Sequence, residues 1–134
     1  MFGESVGVWL VNEWMKMGEP SEFQLVELGP GHGTLMSDIL RTFSQLCPGS
    51  VPGMTVQLVE ISPRMRKLQQ KALGVSEEDI IDNTKDGLYE SRYGCKVGWH
   101  DHIYDVPRKF SFFIGKTEQS YQTLDVKTTS LFSS

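Results

Sequence analysis

One short stretch constrains the fold of this chain most, because three alternate glycines in it join an apolar segment to a helical one. The stretch reads LVELGPGHGTL, residues 25–35. Gln24 to Leu28 is short and apolar, as a buried parallel strand is, and apolar residues then recur at helical spacing up to Leu46. Glycine has no Cβ, so the backbone turns sharply and a ligand approaches the free N–H groups of the next helix closely. The sequence therefore predicts a nucleotide-type ligand site.

The spacing of the glycines distinguishes among nucleotide-binding motifs. A phosphate-binding P-loop ends in Gly-Lys-Ser/Thr, whereas Gly33 is followed by Thr34 and no lysine. The dinucleotide fingerprint separates its last two glycines by two residues, whereas one residue separates Gly31 and Gly33, which argues against an NAD-dependent oxidoreductase half-domain. The pattern Glu27-x-Gly29-x-Gly31-x-Gly33 resembles motif I of the S-adenosylmethionine-dependent methyltransferases. The resemblance implies that this loop cradles a ribose and a methionyl tail, with Glu27 at the cationic end of the ligand, directly or through water.

A second acid ends the next predicted strand, Met54 to Glu60. This strand alternates apolar residues, and Ser62 with Pro63 then forms a typical helix start, with a cap and a proline at the first helical position. In a doubly wound sheet the carboxyl ends of the strands face the ligand crevice, where an acid accepts hydrogen bonds from ribose hydroxyls. We expect Glu60 to take this role; the alternative is a solvated acid at a strand end.

The rest of the chain supplies further helices, strands and one irregular segment. We predict a packing helix within Met1 to Gly18, helices from Thr34 to Leu46 and from Pro63 to Leu73, strands from Lys96 to Trp99 and from Phe110 to Ile114, and a loop with a short turn from Ser76 to Tyr93. We expect no membrane span in this first helix, since acids interrupt its apolar stripe, and no targeting segment, since it has neither the basic start of a secretory signal nor the arginines of a transit peptide.

Composition argues against nucleic acid as a partner and indicates the redox compartment. A net charge of −4 and a pI near 5.3 give no broad basic surface for nucleic acid, and the local basic run Arg64 to Lys67 is typical of a solvated helix face. Cys47 and Cys95 follow no Cys-x-x-Cys spacing, which indicates reduced thiols and a reducing compartment.

A metal site is not predicted. His100 and His102 would have to turn to the same side around a metal, and the sequence marks no third or fourth ligand. The residues from Asp82 to Gly87 resemble the start of a calcium loop, but the twelfth position is Tyr93 rather than a bidentate glutamate.

Three side chains of the third predicted strand and the segment after it are candidates for contact with an adenine ring. These are Trp99, Asp101 and Asp105. The alternative for the tryptophan is ordinary packing against the short strand.

Several stretches taken together resemble the MidA family of methyltransferases. They are FGE-x-x-G-x-W near the start, QLVELGPGHGTL, the helix ending DILRTFSQL, VQLVEIS, and WHDHIYDVP with FSFFI, within Phe2 to Ile114. The resemblance implies an α/β, Rossmann-like methyltransferase fold with parallel strands in the order 3-2-1-4 and flanking helices. It implies the cofactor S-adenosylmethionine, with Glu27, Gly29, Gly31, Gly33 and Glu60 as binding residues; we assign no catalytic residue.

The same resemblance implies a target and a location. The family includes a mitochondrial protein-arginine methyltransferase that assists assembly of respiratory complex I. The implied reaction is symmetric dimethylation of an arginine in a core matrix-arm subunit of complex I, in the mitochondrial matrix.

The chain departs from the family pattern in three places. His32 stands where the vertebrate-like motif has arginine, and the upstream segment ending in Thr-Ser-Pro-Glu is absent before Met1. After Ile114 the family continues with Ala-His-Glu and aromatic residues, whereas this chain continues with Gly115 and Lys116.

These departures lead to expectations for the two parts of the chain. We expect residues 1–115 to form the N-terminal part of a methyltransferase domain and residues 116–134, rich in serine and threonine, to form a divergent, disordered tail. The fourth strand would then be an unpaired edge. The expected function is that of a truncated, inactive methyltransferase. The alternative is a non-catalytic assembly or interaction module derived from the same fold.

Overall fold

The computed structural model describes residues 2–78, 86–116 and 121–125. The helices of this part include α1 (Phe2–Lys16), α2 (Thr34–Leu46) and α3 (Pro63–Leu73). The strands are β1 (Phe23–Leu28), β2 (Met54–Val59), β3 (Tyr89–Glu90), β4 (Lys96–His100), β5 (Ser111–Lys116) and β6 (Tyr121–Asp125). Short 3-10 helices span Pro48–Gly53 and Ile103–Asp105.

The described strands form one sheet in the order β3-β4-β2-β1-β5-β6. The four central strands are parallel, and the two outer strands pair antiparallel with their neighbours. The central order is the predicted 3-2-1-4, so the α/β Rossmann-like fold is confirmed. Leu28 pairs with Val59 and Gly115, and Val59 pairs with His100. The carboxyl ends of β1, β2 and β4 therefore lie side by side; we call this the carboxyl edge.

The bounds of α2 and α3 agree with the predicted ones, and local signals in the sequence account for those of α3. At the start of α3 the Ser62 hydroxyl accepts a hydrogen bond of 3.2 Å from the Met65 N–H, and Pro63 occupies the first turn. At its end Gly74 adopts the left-handed conformation, with φ of 69°. These signals act within one helical turn, so they are readable without the tertiary structure.

The outer strands differ from the expectations. The fourth predicted strand is not an unpaired edge, because β5 pairs along its other side with β6. This sixth strand, Tyr121–Asp125, lies where we expect a disordered tail; residues 117–120 and 126–134 are outside the described part. The strand β3 lies within the predicted loop and has only two residues, which is too short for a periodic pattern to reveal.

One face of the sheet packs against the helices. Leu25, Val56, Val97 and Phe112 lie in register on neighbouring strands and belong to the main core cluster, together with apolar residues of α1, α2 and α3. A smaller cluster on the opposite face joins Val26 to residues of β5 and of the β4–β5 connection. The helices therefore cover the face on which Phe23, Leu25 and, by alternation, Glu27 lie.

A buried row of polar side chains crosses the opposite face. Gln24 donates hydrogen bonds to the Ser111 hydroxyl (3.0 Å) and the Pro107 carbonyl (2.9 Å), and Gln57 donates to Gln24 (3.0 Å). The row ends where His100 Nε2 lies 2.6 Å from Gln57 Oε1. Burial lowers the pKa of His100. This row occupies His100 with structural hydrogen bonding.

Candidate functional site

The glycine loop between β1 and α2 has an open surface at its first two glycines. Gly29 and Gly31 both have φ of 59°, in the left-handed region that favours glycine. A Cβ placed on either one would meet no heavy atom of the described residues within 4 Å. The loop is anchored to the sheet, because the Gly29 N–H donates to the Val59 carbonyl at 3.1 Å. A ligand can therefore approach this backbone closely.

The third glycine serves packing instead. A Cβ on Gly33 would lie 3.1 Å from the Gln69 Cα and 3.2 Å from the Ala72 Cβ, both on α3. The absence of a side chain at Gly33 lets the start of α2 lie close to α3. The three glycines of the motif therefore have two different physical roles.

Glu27 is a buried carboxyl group near the end of β1. Its side chain is 0% exposed, and neither of its oxygens has a partner among the described residues. Burial raises the pKa of Glu27 to about 8. A buried polar group without a partner is rare in folded proteins and costly, so it is a candidate for contact with a ligand. Its place two residues before Gly29 puts it at the carboxyl edge.

Glu60 lies beside the glycine loop and is held on both carboxylate oxygens. Oε2 accepts a hydrogen bond of 3.2 Å from the Ser62 N–H, and Oε1 accepts one of 3.0 Å from the Gln69 side chain. The Glu60 N–H donates to the His100 carbonyl at 2.9 Å, which continues the sheet beyond β2. Because a carboxylate has about four acceptor sites, Glu60 keeps capacity for further donors.

Gln69 joins these parts, and no motif of the sequence predicts it. Its amide nitrogen donates to the Gly31 carbonyl at 2.7 Å as well as to Glu60, and its amide oxygen accepts from the Trp99 indole at 2.9 Å. The side chain is 0% exposed although it lies on a helix with a polar surface. One signal could have found it, since Gln69 shares a helix face with the buried Leu73, four residues later.

The residues at and after the end of β4 have separate places. Trp99 reaches Gln69 and packs against Tyr89, with ring centroids 6.1 Å apart. Arg66 donates to the Glu60 carbonyl at 2.6 Å and to the Asp101 carboxylate at 2.7 Å, so it bridges the ends of β2 and β4. Asp105 is exposed on a 3-10 helix. The structure thus brings Trp99 and Asp101 towards Glu60, and contact with an adenine ring stays a prediction.

Among the described residues, no group of three or more His, Cys, Asp or Glu side chains is arranged to hold a metal ion. Residues 82–85 of the stretch that resembles a calcium loop lie outside the described part. Both cysteines, Cys47 and Cys95, are free thiols. No helix in the described part combines the length and apolar character needed to cross a bilayer.

Comparison with known proteins gives a consistent match. Residues 5–117 match the model of a family described as putative S-adenosyl-L-methionine-dependent methyltransferase. The chain is 44% identical over 119 residues to a zebrafish (Danio rerio) protein named protein arginine methyltransferase NDUFAF7, mitochondrial, an alignment covering 85% of this chain and 28% of the relative. The human protein of that name is 39% identical over 120 residues, covering 85% and 27%. The Drosophila melanogaster homolog is 39% identical over 117 residues, covering 85% and 26%. The chain thus spans about a quarter of the length of these relatives.

Proposed function

Because the chain belongs to the family of putative S-adenosyl-L-methionine-dependent methyltransferases, we propose that its carboxyl edge binds this cofactor for methyl transfer to a protein arginine. The observation that carries the proposal is the buried carboxyl group of Glu27, which has no hydrogen-bond partner among the described residues and lies beside a glycine loop that is open at Gly29 and Gly31. A cationic ligand would supply the partner that Glu27 lacks within the described residues.

The residues fit the chemical groups of the cofactor. Glu27 would face its cationic end, directly or through water. Gly29 and Gly31 would let the ligand lie against the backbone, and Gly33 would keep α2 and α3 close. Glu60 would accept hydrogen bonds from the ribose hydroxyls, because both of its oxygens are already oriented by Ser62 and Gln69 and retain acceptor capacity. Ile61, which is 66% exposed next to Glu60, offers an apolar surface for the adenine ring.

The bound cofactor supplies a methyl group that its sulfonium already activates. This chain would bind the ligand and fix its orientation. Correct orientation accounts for a large part of the rate acceleration of a bimolecular transfer. We assign no catalytic residue among those described.

The acceptor is proposed from the relatives. They are named mitochondrial protein arginine methyltransferases, so we propose a protein arginine as the methyl acceptor and a mitochondrial location. The MidA resemblance extends the proposal to symmetric dimethylation of an arginine in a core matrix-arm subunit of complex I, in the matrix, during assembly of that complex.

Calorimetric titration with S-adenosylhomocysteine tests the cofactor site. We expect Glu60→Ala to weaken binding by about 1–3 kcal/mol, the cost of leaving ligand hydroxyls without their charged acceptor. The matched control is Glu90→Ala, an exposed acid on β3, which should leave the affinity unchanged. Equal affinity of Glu60→Ala and the parent chain would remove Glu60 from the site, and a parent chain without affinity would overturn the cofactor proposal.

A second candidate function is a non-catalytic assembly or interaction module of the same fold. Gly115 and Lys116, where the family resemblance leads us to expect Ala-His-Glu, favour it. A radiolabelled methyl-transfer assay with a complex I subunit separates the two candidates, run beside a chain in which residues 115–134 are replaced by the family continuation. Cofactor binding without transfer would support the module. Transfer comparable to that of the altered chain would support the methyltransferase.

A further inference from the structure

We propose that Gln69 is a positioning residue of this site, which holds the glycine loop and the Glu60 carboxylate in the arrangement that binds the cofactor. The inference rests on the proposed function. Gln69 lies on α3 and belongs to neither the glycine motif nor the acid at the end of β2. The amide of Gln69 links the loop, the end of β2 and the end of β4 through three hydrogen bonds.

The chemistry of its partners determines which way this amide points. The Gly31 carbonyl can only accept a hydrogen bond and the Trp99 indole N–H can only donate one. The nitrogen must therefore face Gly31 and Glu60, at 2.7 Å and 3.0 Å, and the oxygen must face Trp99, at 2.9 Å. Both N–H groups and the oxygen are used, and a flipped amide would place like groups together. The Gln69 amide thus has a single orientation, which in turn orients the Gly31 carbonyl and the Glu60 carboxylate.

Two parts of the site depend on this orientation. The peptide after Gly31 is planar, so a carbonyl directed at Gln69 sends the N–H of His32 the opposite way. Because Gly31 is a glycine in the left-handed region, its own conformational preference restrains this peptide weakly. Glu60 lies at the end of a strand and is half-buried, so without Gln69 its Oε1 would lose one of the two contacts that orient the carboxylate.

The test replaces the amide by groups of similar size in the 134-residue chain. Gln69→Glu keeps an acceptor for Trp99 but directs an oxygen at the Gly31 carbonyl and at the Glu60 carboxylate, where like groups repel. Gln69→Met fills the volume without donors. The matched control is Gln70→Glu, the same change at the next residue of α3, which is half-buried and faces elsewhere.

Two measurements decide the outcome. Calorimetry with S-adenosylhomocysteine should show affinity about tenfold or more weaker for Gln69→Glu, and weaker for Gln69→Met, with Gln70→Glu unchanged. In both Gln69 variants without ligand, the Gly33 N–H, which donates to the Pro30 carbonyl, should exchange about tenfold or more faster than in the parent chain. The Leu25 amide in the core should exchange at the parent rate.

The two measurements also separate this inference from the proposed function. Parent-like affinity in both Gln69 variants, or equal acceleration of exchange at Gly33 and Leu25, would overturn the positioning role. Gln69 would then be an ordinary core residue. If the parent chain itself does not bind S-adenosylhomocysteine, the cofactor proposal fails. Faster exchange at Gly33 but not at Leu25 in the Gln69 variants would then still show that Gln69 orders the loop.

Discussion

At the scale of single residues, Glu27 links the site to the stability of the fold. Its folded pKa is about 8, against 4.5 for an ordinary glutamate, because burial disfavours the charged form. Between these two pH values the folded chain keeps a proton that the unfolded chain has lost. The free energy of unfolding therefore falls as pH rises through this window. The contribution of the Glu27 proton to this free energy is fully present only below about pH 4.5.

We expect Glu27→Gln to remove most of this pH dependence. The parent chain should lose on the order of 3 kcal/mol of stability between about pH 5 and about pH 7.5, since each pKa unit corresponds to about 1.36 kcal/mol. The variant, which has no proton to lose at this position, should be the more stable of the two near neutral pH. Urea denaturation at a series of pH values measures both curves; parallel curves would show that burial does not shift the pKa of Glu27.

At the scale of elements, the packing of α1 on α2 depends on two glycines. A Cβ on Gly7 would lie 2.6 Å from the Thr42 hydroxyl oxygen, and one on Gly3 would overlap the Asp38 side chain. Thr42 cannot turn away freely, because it is buried and its hydroxyl donates to the Asp38 carbonyl at 2.9 Å. The two helices therefore approach each other closely at these positions.

In Gly7→Ala, a gain in helix propensity opposes the cost of overpacking the contact between α1 and α2. In an exposed helix the change would stabilise by up to about 1 kcal/mol, whereas overpacking a tight contact costs about 1–3 kcal/mol. We expect net destabilisation by about 1 kcal/mol or more, measured by urea denaturation. The comparison variant Val8→Ala, on the outward face of α1 at 44% exposure, should stay within about 0.5 kcal/mol of the parent. A stabilised Gly7→Ala chain would show that α1 is not held against α2 at this distance.

At the scale of the whole molecule, the proposed ligand would join the ends of β1 and β2, which are adjacent in space but 32 residues apart in sequence between Leu28 and Glu60. A ligand that binds only the folded chain stabilises it by mass action. At a hundredfold excess over Kd this amounts to about 2.7 kcal/mol. We expect S-adenosylhomocysteine to raise Tm by several degrees.

ATP provides the control for this thermal shift. The loop has no lysine after its last glycine to bind a triphosphate, so ATP at the same concentration should leave Tm unchanged. A larger shift with ATP than with S-adenosylhomocysteine would indicate a phosphate-binding loop instead.

The sequence by itself determined the central elements and the candidate loop. Caps and breakers near Ser62, Pro63 and Gly74 fix α3, and apolar runs that end at a glycine or an acid fix β1 and β2. These signals come from chain neighbours, so they are visible in one sequence. The family resemblance added the central strand order.

Only the tertiary structure decided the rest. β3 and β6 are defined by the strands they pair with, and their own patterns do not reveal them. Gln69 looks like surface on a polar helix until Gly31 and Trp99, which lie 38 and 30 residues away, surround its amide. The sequence names Glu27 as a ligand contact, but only the fold buries it without a hydrogen-bond partner among the described residues. The physical reason is the same in each case: burial and hydrogen bonding are set by residues distant in the chain, which local propensity does not encode.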